Sequence, residues 1–385
     1  MSGFRIPTRV EIAPGSIARL PEVARRLGMD PLLLVVDPGL QATEWPGTAR
    51  RLLQENGVRI RSFDEVEPNP RTSTVTRAAE RIRRQGLRGV VALGGGSVLD
   101  AGKAAAMLAT NGGRIEQYEG KNRYAERPLP MVAVPTTCGS GAEVTWVSVL
   151  SHQPARAKIS VKGETMFPDQ ALVDADLIST LPPELVAATG FDALTHALEA
   201  TTCRAADPVS DALAEKAIAL LFGYLPRAAE DVAGDGEARR EVMRASTLAG
   251  LAFGNADVAA VHCLSEGLGG LYDVPHGLTN AVLLVPVLAS HGAAIEDRLA
   301  ALDALLFPAA QREPAERAEH FLAELAALSR RLDIAPWSSL EIPPDDYPRI
   351  AAAAVRNNSN GSNPRPMGTS DYLSILEGMG SESVE

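Results

Sequence analysis

Residues 89–106, GVVALGGGSVLDAGKAAA, pass from an uninterrupted apolar run through three glycines and a serine into a helix-forming run. An apolar run with no polar alternation marks a strand buried on both faces, a situation almost confined to parallel sheets covered by helices. The first half of the chain repeats this pattern. LLLVVD (32–37) and QALVDADL (170–177) read as further strands, and MVAVPTTCGSGAE (131–143) as a strand followed by a loop. TSTVTRAAERIRRQG (72–86) has helical period and a glycine stop. Strands alternating with helices predict a doubly wound, mainly parallel α/β domain.

Near LISTLPPELVAATG (177–190) the texture changes. DALAEKAIALLFGYL, EARREVMRASTLAGLAF and AERAEHFLAELAALSRRL are rich in alanine and leucine at helical spacing. The expected organisation is an α/β domain over residues 1–180 and an all-helical domain over 181–385. RNNSNGSNPRPM (356–367) predicts a loop before a last short helix, and the terminal GMGSESVE predicts a frayed end.

Charge narrows the function classes. Lys and Arg total 37 against 48 Asp and Glu, a net charge of −11, with no block of one sign. That argues against a generic nucleic-acid or anionic-membrane surface. Cys138, Cys203 and Cys263 are far apart and form no CxxC, so neither a disulfide framework nor a thiolate zinc site is indicated. MSGFRIPTRV has no apolar signal core, and AVLLVPVLA (281–289) is short and interrupted by Pro286. The expectation is a cytoplasmic protein with no membrane span.

The glycine loop has its own chemistry. Backbone N–H groups at a helix N-terminus, unscreened by side chains, favour bound phosphate. Neither G-x-G-x-x-G nor the P-loop pattern is present, and a merely tight turn remains the alternative. Asp100 and Lys103 on the following helix suit the site or an exposed helix pair. Asp37 ends an earlier strand; there it can accept from a ribose hydroxyl, favouring NAD over NADP, or simply cap a turn. Thr136, Thr137 and Ser140 lie on another strand-end loop, where open α/β sheets bind ligands.

FDALTHALEA places Asp192 and His196 four residues apart, on one helix face. Two of the six histidines recur in VHCLSEGLGGLYDVPHG: His262 in an apolar helical stretch, His276 at a turn into a helix. One carboxylate and three imidazoles suit a divalent transition metal such as Fe²⁺ or Zn²⁺. His152, His291 and His320 read as surface residues.

GGGSVLDAGK, PTTCGSGAEVT, ALVDADL, FDALTHALEA, VHCLSEGLGGLYDVPHGLTNAVLL and NPR (363–365) stand in the order found in iron-containing alcohol dehydrogenases, which the chain resembles to about residue 375. The resemblance implies an NAD(H)-linked enzyme acting on a small alcohol or aldehyde, with Asp192, His196, His262 and His276 as metal ligands. It implies Gly94, Gly95, Gly96 and Ser97 at the pyrophosphate and Asp37 at the adenosine ribose. Asn69, Thr136, Thr137, Ser140, Val149 and Lys158 would line the rest of the dinucleotide site, with Asp100 near the nicotinamide. It places Trp146, Val147, Phe253 and Asn255 in cleft-facing stretches, and implies a homodimer or higher homo-oligomer. Glu266 departs from the pattern, since many relatives carry a histidine there; it is expected to relay a proton, bind a polar or cationic group, or pair with a base. Unless compensated, its charge disfavours anionic substrates. Maleylacetate-reductase-like and glycerol-dehydrogenase-like oxidoreductases are alternatives on the same fold, as is a dehydroquinate-synthase-like lyase. VHCLSEGLGGLYDVPHG lacks the dense basic pocket such a lyase needs.

Overall fold

The computed structural model describes residues 3–382. The chain opens with β1 (Arg9–Ile12), α1 (Leu20–Arg26), β2 (Leu32–Val36), α2 (Trp45–Glu55), β3 (Ile60–Phe63), α3 (Thr72–Gln85), β4 (Val90–Gly94) and α4 (Gly96–Asn111). It continues through β5 (Gly120–Lys121), β6 (Met131–Pro135), β7 (Val147–His152), β8 (Ala157–Lys162) and β9 (Gln170–Val173). Helices follow: α5 (Pro183–Thr202), α6 (Pro208–Glu230), α7 (Gly236–Asn255), α8 (Ala260–Tyr272), α9 (His276–His291), α10 (Glu296–Leu306), α11 (Pro314–Arg331), α12 (Tyr347–Arg356) and α13 (Thr369–Glu382).

A six-stranded sheet has the order β1-β9-β6-β4-β2-β3, with every adjacent pair parallel. Its apolar runs are uninterrupted because both faces are covered. Leu33 and Val35 of β2 join one apolar cluster with Val75, Ile82 and Val98 of α3 and α4. Leu32, Leu34 and Val36 join another with Leu20, Val23 and Leu53 of α1 and α2. The chain leaves β2 for β3 on one side and β4 for β6 on the other, so the strand order reverses between neighbouring β2 and β4, and the loops after these parallel strands gather at one sheet end, where such folds bind ligands.

A second sheet, β5-β8-β7, was not signalled by an apolar run. β7 and β8 are antiparallel, and their burial is mixed. Helix α8 approaches β8 closely: a methyl on Gly270 would lie 2.9 Å from Ala157 Cα.

The helices from α5 onward bury the largest apolar cluster. Asp207 starts α6 by accepting from the N–H groups of Val209 and Ser210. The apolar run around Pro286 belongs to a longer helical stretch, His276–Ala294, which is long and apolar enough by composition to cross a membrane; half of it is buried inside the protein. Gly141, at a positive φ of 58°, meets Gly250 of α7 so closely that a methyl would sit 2.4 Å from Gly250 Cα, which locks the loop after β6 onto the helical part. Helix α13 is a full-length helix of 14 residues running through Glu382, and residues 383–385 of the GMGSESVE stretch lie outside the described residues.

Candidate active site

A cavity of about 750 Å³ lies between the sheet-end loops and α5, α7, α8 and α9. Gly95, Gly96 and Ser97 line it at the start of α4, and Asp37 lines it after β2. A methyl on Gly96 would lie 2.8 Å from Ser140 Cβ, and one on Gly95 3.1 Å from Thr137 Cγ2. The glycines thus let two strand-end loops close around a helix N-terminus. Thr137 and Ser140 line the cavity too. Gly94 and Thr136 sit behind its wall: Thr136 is buried, its N–H bonds to the Gly94 carbonyl, and a methyl on Gly94 would strike Val98 at 2.7 Å. Asp37 accepts from the Gly39 N–H at 2.9 Å, so it caps a turn and faces the cavity at once.

The exposed-pair alternative for Asp100 and Lys103 is overturned. Lys103 is fully buried and donates to the carbonyls of Ala142 and Val147 and to Thr145 Oγ1. Its Nζ lies 2.9 Å from Asp100 Oδ1, and Asp100 Oδ2 accepts from the Val149 N–H at 2.9 Å. Both carboxylate oxygens are therefore engaged, and they tie β7 to α4.

Lys158, on β8, donates to Asn69 Oδ1 at 2.7 Å and Ser151 Oγ at 2.9 Å. Asn69 takes a positive φ of 56° and donates to Asp273 Oδ1. Burial lowers the Lys158 pKa to about 8, against the attraction of Glu266, Asp273 and Asp100. Sequence alone had no signal for this environment, because the second sheet builds it.

Asp192 and His196 project from α5, His262 from α8, and His276 from the first residue of α9. Asp192, His196 and His262 are buried and offer ligand-type atoms within 4.8 Å of one another. His276 Nε2 lies 3.7 Å from Asp192 Oδ1. Phe253 stacks on His196 with centroids 4.2 Å apart.

Two partners of these histidines carry no mark in the sequence. Glu199, one turn beyond His196 on α5, accepts from the backbone N–H groups of Ala259 and Val261 and lies 2.5 Å from His262 Nδ1. That contact turns Nε2 toward the cavity. Burial works against charging His262, but Glu199 and Asp192 raise its pKa. Asn280, on α9, directs Nδ2 at Asp192 Oδ1, His262 Nε2 and His276 Nε2, at 2.7, 3.2 and 3.1 Å.

This donor set fits a divalent cation. One amide nitrogen carries two hydrogens and faces three acceptors, so the acceptors outnumber the donors. His196 Nδ1 is buried with no hydrogen-bond partner. Burial lowers the His196 pKa to about 3, keeping the ring neutral and able to ligate. The imidazoles hold Asp192 below its usual range although burial opposes this.

Glu266 lines the cavity one turn after His262, and its Oε2 accepts from Asn357 Nδ2 at 2.7 Å. Trp146, Val147 and Phe253 also line the cavity. Asn255 does not: it bonds to Arg5 and to the Leu251 carbonyl. The surface expectation fails for His291, which is buried with its pKa lowered to about 4 by burial; His320 is half-buried and bonds to the buried Asp303, and His152 is half-buried. A second, more open hollow of about 530 Å³ between α9 and α13 lies away from the histidines, and its Arg365 is already paired with Asp371.

Known proteins resemble the chain over nearly its whole length. Alcohol dehydrogenase 4 of Saccharomyces cerevisiae strain YJM789 is 34% identical over 381 residues, 98% of each chain. A crystal structure of 1,3-propanediol oxidoreductase superposes with a TM-score of 0.94 at 33% identity, covering 98% of this chain and 100% of that one. Sulfoacetaldehyde reductase from Bifidobacterium kashiwanohense, solved in complex with NAD⁺, superposes with a TM-score of 0.87 at 26% identity, covering 99% of each chain. Residues 7–175 match the family described as iron-containing alcohol dehydrogenase, and residues 186–379 match the C-terminal part of the Fe-containing alcohol dehydrogenase family. The chain belongs to the iron-containing alcohol dehydrogenase family.

Proposed function

We propose that this alcohol oxidoreductase transfers hydride between NAD(H) and a small alcohol or aldehyde, with a divalent cation held by Asp192, His196, His262 and His276. The observation that carries the reading is the buried group Asp192, His196 and His262 on α5 and α8, with the part-exposed His276 of α9 beside it, facing the same cavity as the glycine loop. Oxygen and imidazole donors accept Fe²⁺ or Zn²⁺; the family favours Fe²⁺. When bound, the ion supplies Lewis acidity that makes an alcohol proton acidic, and nicotinamide supplies the hydride acceptor.

The chain's own groups hold and orient. Gly95 and Gly96 leave room for a pyrophosphate at the α4 N-terminus, and Ser97, Thr137 and Ser140 supply donors around it. Gly94 and Thr136 support that loop from behind. Asp37 accepts from an adenosine ribose, which favours NAD over NADP. Asn69, Lys158 and Val149 line the far part of the dinucleotide site. Asp100, proposed as a catalytic residue near the nicotinamide, has both oxygens engaged and positions β7. Glu199 and Ser265 fix the rings of His262 and His276. Glu266, one turn from His262 and held by Asn357, is the proposed proton relay beside the histidines.

The division at residues 180/181 into a dinucleotide half and a metal half is part of this reading, supported by the last strand ending at Val173 and the first long helix starting at Pro183. So are a cytoplasmic setting, consistent with three buried free cysteines, and a homo-oligomer, for which exposed Ile12 at the end of the edge strand β1 and exposed Ile6 before it are the supporting feature.

The test is metal removal. Chelation under anaerobic conditions should abolish aldehyde-dependent NADH oxidation, and Fe²⁺ should restore it. Full activity in metal-free protein would refute the proposal.

A further inference from the structure

Glu266 lies four residues after His262 on α8, so both side chains leave the same helix face about 6 Å apart along the axis. Its charge bears on His262, His276 and Lys158 alike, which sets it beside the metal-type group and not at the adenosine end. Its two oxygens are unequal. Oε2 accepts from Asn357 Nδ2 at 2.7 Å; Oε1 has no hydrogen-bond partner among the described residues, and no cation lies within ion-pair distance. A carboxylate only accepts, and a half-buried acceptor without a donor recruits one.

The neighbouring carboxylate on this wall is saturated. Asp257 takes Ser359 Oγ and the Val258 N–H on Oδ1 and Ser362 Oγ on Oδ2. Trp146, Val147, Phe253 and Val258 also line the cavity. On this wall Glu266, unlike Asp257, keeps one oxygen without a hydrogen-bond partner among the described residues.

We propose that Glu266 determines specificity by accepting a hydrogen bond from a second hydroxyl of the substrate, so that the enzyme selects diols over simple alcohols. The distance of one helical turn from His262 suits a hydroxyl separated from the reacting carbon by about three carbons or fewer. A hydroxyl supplies the donor that Oε1 lacks, and an ammonium group, the competing donor, is one arm of the test. This inference rests on the alcohol-oxidoreductase reading above.

The test compares kcat/KM for 1,3-propanediol, 1-propanol and 3-amino-1-propanol in Fe²⁺-loaded enzyme with NAD⁺. Hydrogen bonds to charged groups support a diol preference of about tenfold or more in the unaltered enzyme. Glu266→Leu should reduce the diol-to-monoalcohol ratio to near one, and Glu266→Gln, which keeps an accepting oxygen, should retain part of it. A ratio near one in the unaltered enzyme, or a ratio that Leu leaves unchanged, overturns the proposal. So does an amino alcohol used better than the diol, with that advantage lost in Glu266→Leu. If Glu266→Leu does not fold, as melting and iron content report, the Gln variant decides by whether its ratio falls. An enzyme that binds NADH and iron but oxidises none of the three alcohols refutes the underlying reading instead.

Discussion

At the glycine-loop end of the cavity the wall is made by leaving atoms out. Gly95 and Gly96 stand where a methyl would strike Thr137 or Ser140, and the open space exposes backbone N–H groups at the start of α4. At the histidine end the wall is made of side chains, from three helices and with their own supporting partners: Glu199 behind His262, Ser265 behind His276, Phe253 against His196. The first end works through empty space beside backbone donors. The second depends on particular groups at particular orientations, so single changes there carry far larger penalties. The two ends can be broken separately, and separability is the sharpest check on the comparison.

The largest effect is expected at Asp192. Asp192→Ala removes the carboxylate on which the imidazoles converge, and loss of Lewis-acid activation amounts to several kcal/mol. Turnover should fall by about a thousandfold or more, with iron lost on gel filtration, while NADH affinity changes by less than about threefold. Glu199→Gln leaves every proposed ligand in place and removes only the charge behind His262; iron affinity should fall by about 10- to 100-fold. Metal content by plasma spectrometry and NADH titration by fluorescence read both outcomes. A large loss of NADH affinity in either variant would mean the two ends are not independent.

Gly96→Ala breaks the other end. Its methyl would meet Ser140 Cβ at 2.8 Å, forcing the loop after β6 to shift. NADH should bind about tenfold more weakly, on the scale of a displaced phosphate contact, with iron content unchanged. Iron loss in this variant would contradict the comparison from the opposite side.

The difference also explains what could be read from sequence. Buried strands announce themselves as unbroken apolar runs, so β2, β4, β6 and β9 were legible, and the glycines at a strand-to-helix junction marked the phosphate-type loop. β5, β7 and β8 are short and mixed in burial, and carry no such mark. Asp192, His196, His262 and His276 stood out because acid and imidazole are scarce in apolar helices. Glu199 lies in the same helix without a sequence mark of its own: a glutamate on a helix usually faces water, and only the approach of the α8 N-terminus makes it a buried acceptor. Asn280 and Lys103 were hidden for the same reason, their partners being 18 to 88 and 39 to 44 residues away respectively, apart from Asp192's neighbour His276 and the local Asp100. His291, at the last residue of α9, looked solvent-facing until the rest of the helical part closed over it.

Lys158 belongs to neither end completely, and it yields the smallest and most diagnostic effect. Burial has lowered its pKa to about 8 from the ordinary 10.5, while Glu266, Asp273 and Asp100 pull the other way. The folded protein therefore releases a proton that the unfolded chain still holds between about pH 8 and 10.5, and this group's contribution to stability rises with pH across that window. Cofactor affinity should move oppositely, because the protonated amine is the form that attracts an anionic dinucleotide. NADH affinity is expected to weaken by about three- to tenfold between pH 7 and 9.5, a few kT of partly screened attraction. Lys158→Met should flatten that pH profile and, relative to the unaltered protein, lose the alkaline gain in melting temperature. Two profiles of opposite slope that vanish together in one variant would assign both to this amine; a Lys158→Met enzyme whose NADH affinity still falls through pH 8 would move the titrating group elsewhere in the cavity.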